Sequence, residues 1–202
     1  MKGYNLVNLF EMINIFGEDK AKELLSNFYC PLNLDVEKFI TGGKAIEFSK
    51  QRIAATHLVF TSYKKSPVLV GYFTLTNKFL KIDKKALSKN MQKRITKFAQ
   101  YDPDFKKYEL SAPLIAQMGK NFYNDYDKLI SGDDLLQMAC DKVENTQIEL
   151  GGKVVYLECE DVQKLVEFYE RHGFFKFGKR ELDPDEEELF EGKYLLQMLK
   201  YL

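Results

Sequence analysis

Tyr169 is the residue whose type and spacing first imply chemistry. It lies in VVYLECEDVQKLVEFYERHGFF, residues 154–175, which reads as a buried strand followed by a helix. Val162, Leu165, Val166 and Tyr169 share one helical face, so the phenol turns toward a sheet rather than toward water. A phenol in that place is either a core hydroxyl or a proton donor. Its ordinary pKa of about 10 suits it to re-protonate a departing thiolate, and not to act as a base at neutral pH.

A second candidate is the pair PLIAQMGKN, residues 113–121, and ISGDDLL, residues 130–136. A strand that passes through a glycine-containing turn into a helix can hold a phosphate, because the helix N-terminus offers unpaired N–H groups and partial positive charge. Lys120 would add a cation. The same residues also read as a plain connection, with Ser131 capping the helix and Asp134 completing a capping-box pair. Asp133 and Asp134 would compete with a bound anion.

Glu158 and Glu109 are carboxylates at strand positions, each a candidate base or a solvated group. His57 and His172 are the two histidines; the first reads as structural, the second as a favourable charge near a helix C-terminus. Cys30, Cys140 and Cys159 are odd in number and far apart, which argues against a disulfide framework or a zinc site. No metal is expected.

These residues need a scaffold. Leu6, Leu9, Phe10 and Ile13 follow helical spacing, AKELLSNFYC continues as a helix to Pro31, and DVEKFI forms a third, ended by Gly42 and Gly43. IAATHLVFTSY and SPVLVGYFTLT, joined by a polar turn, predict a hairpin. A basic helix over 84–100, a strand at 108–117, a helix from Gly132 to about Gln147, the strand and helix around Tyr169, and two closing strands complete the order. The strand–helix–strand unit in the second half implies a parallel pair with a right-handed crossover. An α/β fold with a mixed sheet follows from pattern alone.

FYERHGF at 168–174, together with Gln117 opening the earlier segment, resembles the GCN5-related N-acetyltransferase (GNAT) superfamily from about Thr56 onward. In the family's loop pattern, Q/R-x-x-G-x-G/A, the glycines stand elsewhere: here Gly119 comes one place early, and eleven residues separate the loop from Gly132. The resemblance implies a mostly antiparallel sheet with a central parallel strand pair and flanking helices. It also implies one acetyltransferase-like domain over 1–202, with a helical part at 1–45 and the core at 46–202.

By the same resemblance, acetyl-CoA is the cosubstrate and an amine the acceptor, attacked directly in a ternary complex. Backbone groups of Leu114, Ile115 and Ala116 would pair with the pantetheine arm, and Gln117 would open the cosubstrate-binding loop. Gly119, Lys120, Asn121, Ser131 and Gly132 would surround the pyrophosphate, Asp161 would touch the cosubstrate, Tyr169 would be the acid and Glu158 a base. A toxin-like acetyltransferase of aminoacyl-tRNA and a non-catalytic binding or regulatory module are the alternatives.

Charge does not choose the acceptor. Thirty basic residues balance thirty acidic ones over 202 residues, and 45% hydrophobic residues place the chain among ordinary globular proteins. Lys78–Lys97 holds eight basic residues against Asp83 alone, which permits RNA, whereas ELDPDEEELFEG is strongly acidic. No apolar run reaches the roughly 20 residues that span a bilayer, and no leader is recognisable, so a cytoplasmic protein without a membrane partner is expected. The oligomeric state stays open; an exposed C-terminal strand would allow a homodimer.

Overall fold

Asn8 decides how the chain begins. Its Oδ1 accepts from the amides of Phe10 (2.9 Å) and Glu11 (3.3 Å), capping a helix that cannot extend back to Leu6. The computed structural model describes residues 3–184 and 192–202. In it Tyr4–Asn8 is a strand, β1, and α1 starts at Leu9. The helical spacing of Leu6 with Leu9 and Ile13 is therefore coincidental.

After α1 (Leu9–Phe16) come α2 (Glu18–Leu25), α3 (Leu34–Thr41) and α4 (Lys44–Lys50). The strands β2 (Ala55–Tyr63) and β3 (Ser66–Asp83) follow, then α5 (Lys89–Ile95), β4 (Gln100–Asp102) and β5 (Lys107–Lys120). A run of α6 (Gly132–Leu150), β6 (Val154–Cys159), α7 (Gln163–Arg171), β7 (Phe175–Glu181) and β8 (Tyr194–Tyr201) closes the chain. The strands form one sheet in the order β1-β2-β3-β5-β6-β8-β7, with β4 paired to β5. It is mostly antiparallel, and β5 and β6 are its parallel pair.

Two compact units divide the chain. Unit 1 comprises the residues up to Thr76 with Ile115–Asp141; unit 2 comprises Asn77–Leu114 with Lys142–Leu202.

In unit 1, helices α1–α4 share a core with β2 and β3, centred on Leu9, Leu25, Ile40, Leu58 and Tyr72. Tyr72 is fully buried, stands edge-on to Phe28 at 5.2 Å, and donates its hydroxyl to Val36 O at 2.6 Å. That bond removes the cost of burying the phenol and fixes α3 to the sheet. The β2–β3 turn is Lys64–Lys65, both left-handed (φ 50° and 67°), the geometry that suits the twist of a two-residue hairpin.

In unit 2 the core contains Leu80, Ile82, Ile95, Leu110, Tyr156 and Leu199. The basic segment is less helical than its composition predicts. β3 runs on to Asp83, so Lys78 and Lys81 are strand residues, and α5 holds only Lys89–Ile95. The C-terminal strand differs from expectation as well. β8 pairs antiparallel with β6 on one side and β7 on the other, so β1 and β7 are the sheet edges. Of the acidic segment after β7, residues 185–191 lie outside the described residues. No helix among the described residues is long and apolar enough to cross a membrane.

Candidate active site

The FYERHGF sequence is first of all a helix end. Gly173 (φ 83°) donates its amide to Glu170 O at 2.9 Å, and Phe174 donates to Tyr169 O at 3.1 Å. Those two bonds are the Schellman arrangement, which needs a residue free to take positive φ at the Gly173 position. The accompanying apolar contact is between the Tyr169 and Phe174 rings, edge to face with centroids 5.9 Å apart. Tyr169 is thus held through its backbone, through Phe174 and through Phe168 at 5.1 Å.

Its hydroxyl is not held in the same way. Tyr169 is buried, and among the described residues its Oη has no hydrogen-bond partner. Burial pushes its pKa well above the ordinary phenol value, with a smaller push from Cys159. Cys159, in turn, is pushed up to about 12, by burial first and by Asp161 second. Its Sγ lies 3.8 Å from Met198 Sδ. The surroundings that disfavour phenolate therefore disfavour thiolate too.

Glu158 is bonded to two side chains. Its Oε2 accepts from Arg180 Nε at 2.7 Å and its Oε1 from Gln197 Nε2 at 2.8 Å, so both oxygens are committed. Gly178 makes this possible: a Cβ there would come within 2.8 Å of Gln197 Oε1. Arg180, Gln197 and Gly178 were not legible from spacing, because they lie on strands separated in sequence from Glu158 and meet it only through the β6–β8–β7 register. Glu109 is paired with Lys81 at 2.7 Å. Asp161 precedes α7 and accepts from Tyr194 Oη at 2.8 Å. His172 Nδ1 donates to Phe168 O at 2.7 Å, and His57 is buried against Phe73 with ring centroids 5.1 Å apart.

Strand β5 carries the segment expected at the cosubstrate. Leu114 and Ile115 are both buried and Ala116 is exposed, so the alternation of faces slips there. In unit 1, the end of β5 is packed beneath α3. Gln117 Nε2 donates to the Asp35 carboxylate in the first turn of α3. Gly119 lacks a side chain because a Cβ would collide with Val36 Cγ1; its φ is not left-handed. This glycine admits α3 through Val36.

Asn121 also has a structural role. It is 3% exposed, and its Oδ1 accepts from the amides of Tyr29 (3.1 Å) and Tyr123 (3.0 Å). Its Nδ2 donates to Leu69 O at 2.9 Å, and its own amide to Val70 O at 2.8 Å. These bonds stitch the α2–α3 connection to the sheet. Lys120 Nζ donates to Asp127 O at 3.1 Å and lies 5.6 Å from the Phe122 ring centroid.

The start of α6 forms the capping box. Ser131 Oγ accepts from the Asp134 amide at 3.0 Å and donates to Asp134 Oδ2 at 2.7 Å. Tyr4 joins it, donating to Leu129 O at 3.0 Å; burial and then Asp134 raise the Tyr4 phenol above its usual value. Gly132 opens the helix beside this cap.

No protein-family model and no curated protein sequence matches the chain. Solved structures do. AtaT complexed with acetyl-methionyl-tRNAfMet is similar over 96% of this chain and 94% of its own, with a TM-score of 0.61 and 18% identity. A tyrosine-to-phenylalanine mutant of KacT gives 0.61 and 15%, over 96% and 93%. AtaTR bound with acetyl-CoA gives 0.57 and 17%, over 97% and 94%. At these identities the likeness is one of fold, and the fold is that of the GNAT acetyltransferases.

Proposed function

We propose that this protein is an acetyl-CoA-dependent N-acetyltransferase with Tyr169 as its general acid. The observation that carries the reading is a buried phenol with no partner among the described residues, held by a Schellman-capped helix in a chain of acetyltransferase fold. Acetyl-CoA supplies the acetyl group as a thioester and departs as a thiolate. Tyr169 gives that sulfur its proton and is re-protonated from solvent, while the amine nitrogen, once bonded to the acetyl carbon, loses its own proton to water.

Along β5, backbone groups of Leu114, Ile115 and Ala116 are assigned to the pantetheine arm. The pyrophosphate is assigned to the start of α6, with Ser131, Gly132 and Lys120; Gly119 and Asn121 are withdrawn from that role, and Gln117 serves α3. Asp161 and Tyr194 act as a hydrogen-bonded pair next to α7. Glu158 is removed from the acid–base chemistry, so the amine is deprotonated through water.

For the acceptor we favour the amino group of an aminoacyl-tRNA. AtaT has been captured with such a product, and unit 2 here carries Lys78, Lys81, Lys84, Lys85, Lys89, Lys93 and Arg94 on β3, α5 and the turn between them, with Lys97 in the turn after α5. A run of this kind suits a phosphate backbone. A non-catalytic binding module is the second reading, favoured by the carboxylates of Asp133 and Asp134 in the first turn of α6. Calorimetric titration with acetyl-CoA separates the two. Saturable binding followed by acetyl transfer to charged tRNA supports the enzyme; a folded protein that binds no acetyl-CoA refutes it.

A further inference from the structure

In unit 2 the second half of β3 sends alternate side chains to opposite faces of the sheet. Leu80 and Ile82 enter the core, whereas Asn77, Phe79 and Lys81 share the other face and are exposed. Phe79 is 61% exposed, so its ring is open to solvent. A single exposed ring is ordinary on a protein surface, but this one is set between two fixed links. Towards one end of β3, Asn77 Nδ2 donates to Ser111 Oγ of β5 at 2.7 Å. Towards the other, Lys81 Nζ pairs with Glu109 of β5 at 2.7 Å and lies 5.9 Å from the Phe79 ring centroid. Gln100 of β4 is exposed and stands opposite Glu109 in register, which extends the same face by one strand.

The charge around the ring is positive. Lys78 neighbours Phe79 in the strand, and Lys84 and Lys85 follow in the turn after it. Both nearby carboxylates are engaged: Glu109 holds Lys81, and Asp83 Oδ1 accepts from the Lys85 amide at 2.8 Å. A flat apolar ring, carboxamides beside it and ammonium groups around it are the parts of a nucleotide platform. The ring stacks a base, an amide reads the base edge, and the cations take the phosphates.

A base within a duplex is already stacked on both sides, so only an unpaired one can lie on such a ring. We infer that this face of β3, β5 and β4 stacks an unpaired RNA base on Phe79, with Lys78 and Lys81 on the adjoining phosphates and Asn77 at the base edge. The inference rests on the aminoacyl-tRNA reading of the acceptor, and adds to it that the RNA is held here through an unpaired nucleotide as well as through its charge.

Fluorescence anisotropy on the full chain uses a labelled single-stranded oligoadenylate and a fully paired RNA duplex of the same length; neither is aminoacylated, so binding is read apart from transfer. Phe79→Ala weakens single-strand binding by about tenfold or more, the contribution of one stacked base, and leaves duplex binding unchanged. Phe79→Tyr retains the single-strand affinity. Lys78→Gln weakens both RNAs and lowers the slope of log affinity against log salt by about one. In turnover, Phe79→Ala raises KM for charged tRNA at constant kcat. A folded Phe79→Ala protein that binds both RNAs as the wild type does overturns the inference, as does one that loses them equally. A change of sedimentation with unchanged RNA affinity also overturns it, because Phe79 then serves contact with a second copy. Transfer to no charged tRNA removes the acceptor reading and the inference with it; the oligonucleotides tell that failure from a failure of this face, because they report on Phe79 without any transfer.

Discussion

Tyr169 and Phe174 are joined twice: the Phe174 amide donates to Tyr169 O at 3.1 Å, and their rings meet edge to face at 5.9 Å. A helix cap and the proposed acid position are therefore the same few residues. Gly173 is required by the cap, and the cap sets where the phenol points.

Because the Tyr169 hydroxyl has no partner among the described residues, removing it should not harm the fold. Tyr169→Phe is expected to melt within about 1 °C of the wild type and to bind acetyl-CoA unchanged, while kcat falls by about 10² or more, the usual contribution of a general acid. Calorimetry with single-turnover kinetics checks the split. A loss of affinity at constant kcat would contradict the assignment.

Gly119→Ala is expected to cost about 1–3 kcal/mol of stability through overpacking against Val36. Val36→Ala in the same chain should recover part of that loss, because the two sites touch. Denaturant melts of the four proteins in the cycle give the coupling. Were Gly119 instead a phosphate cradle, the substitution would weaken acetyl-CoA binding at constant stability and Val36→Ala would recover nothing.

Asn121→Ala should be among the most damaging polar substitutions in unit 1. It strands the buried carbonyl of Leu69 and the amides of Tyr29 and Tyr123, a cost of about 2–4 kcal/mol. Amide exchange should accelerate first at Tyr29 and Tyr123. Unaltered protection there would mean that the carboxamide does not hold the α2–α3 connection.

Much of this was legible beforehand and some was not, for reasons specific to the residues. The β5–α6–β6–α7 order was readable because its apolar spacing is unbroken and Gly173 marks an end. The helical spacing at Leu6–Ile13 does not make one helix, because Asn8 is a strong cap within it. Gly119 and Asn121 looked like ligand residues because a glycine and an amide near a helix start serve anions and packing equally well. What separates the two uses is Val36 and Tyr29, more than eighty residues away in sequence, and no local pattern carries that information. The same holds for Arg180 and Gln197, which take both oxygens of Glu158.

Glu158→Gln tests that last point. With Glu158 tied to Arg180, the substitution should lower stability by about 1–3 kcal/mol, change kcat by less than about threefold and leave the acidic limb of the pH–rate profile in place. Disappearance of that limb, with a loss of about 10² in kcat, would restore Glu158 as the base.

Alkaline stability follows from Cys159. Folded, its thiol titrates near 12; unfolded, it returns to about 8.5. Between those values the folded state holds the extra proton, so this contribution is complete below about pH 8.5 and is lost as pH rises toward 12. Melting temperature should fall over that range, and Cys159→Ala should flatten the fall. An identical slope in the variant would show that other groups carry it.

The place of β8 between β6 and β7 has a kinetic consequence. Strands β6 and β7, with α7 between them in sequence, are never neighbours, so the helix bearing Tyr169 spans a gap one strand wide until β8 arrives. That filling must satisfy two registers at once, and a slip of one residue would turn Leu195, Met198 and Leu199 out of both. Formation of the acid's surroundings is in this way timed by the slowest, least local pairing in unit 2, and catalytic competence should emerge in refolding only with that step.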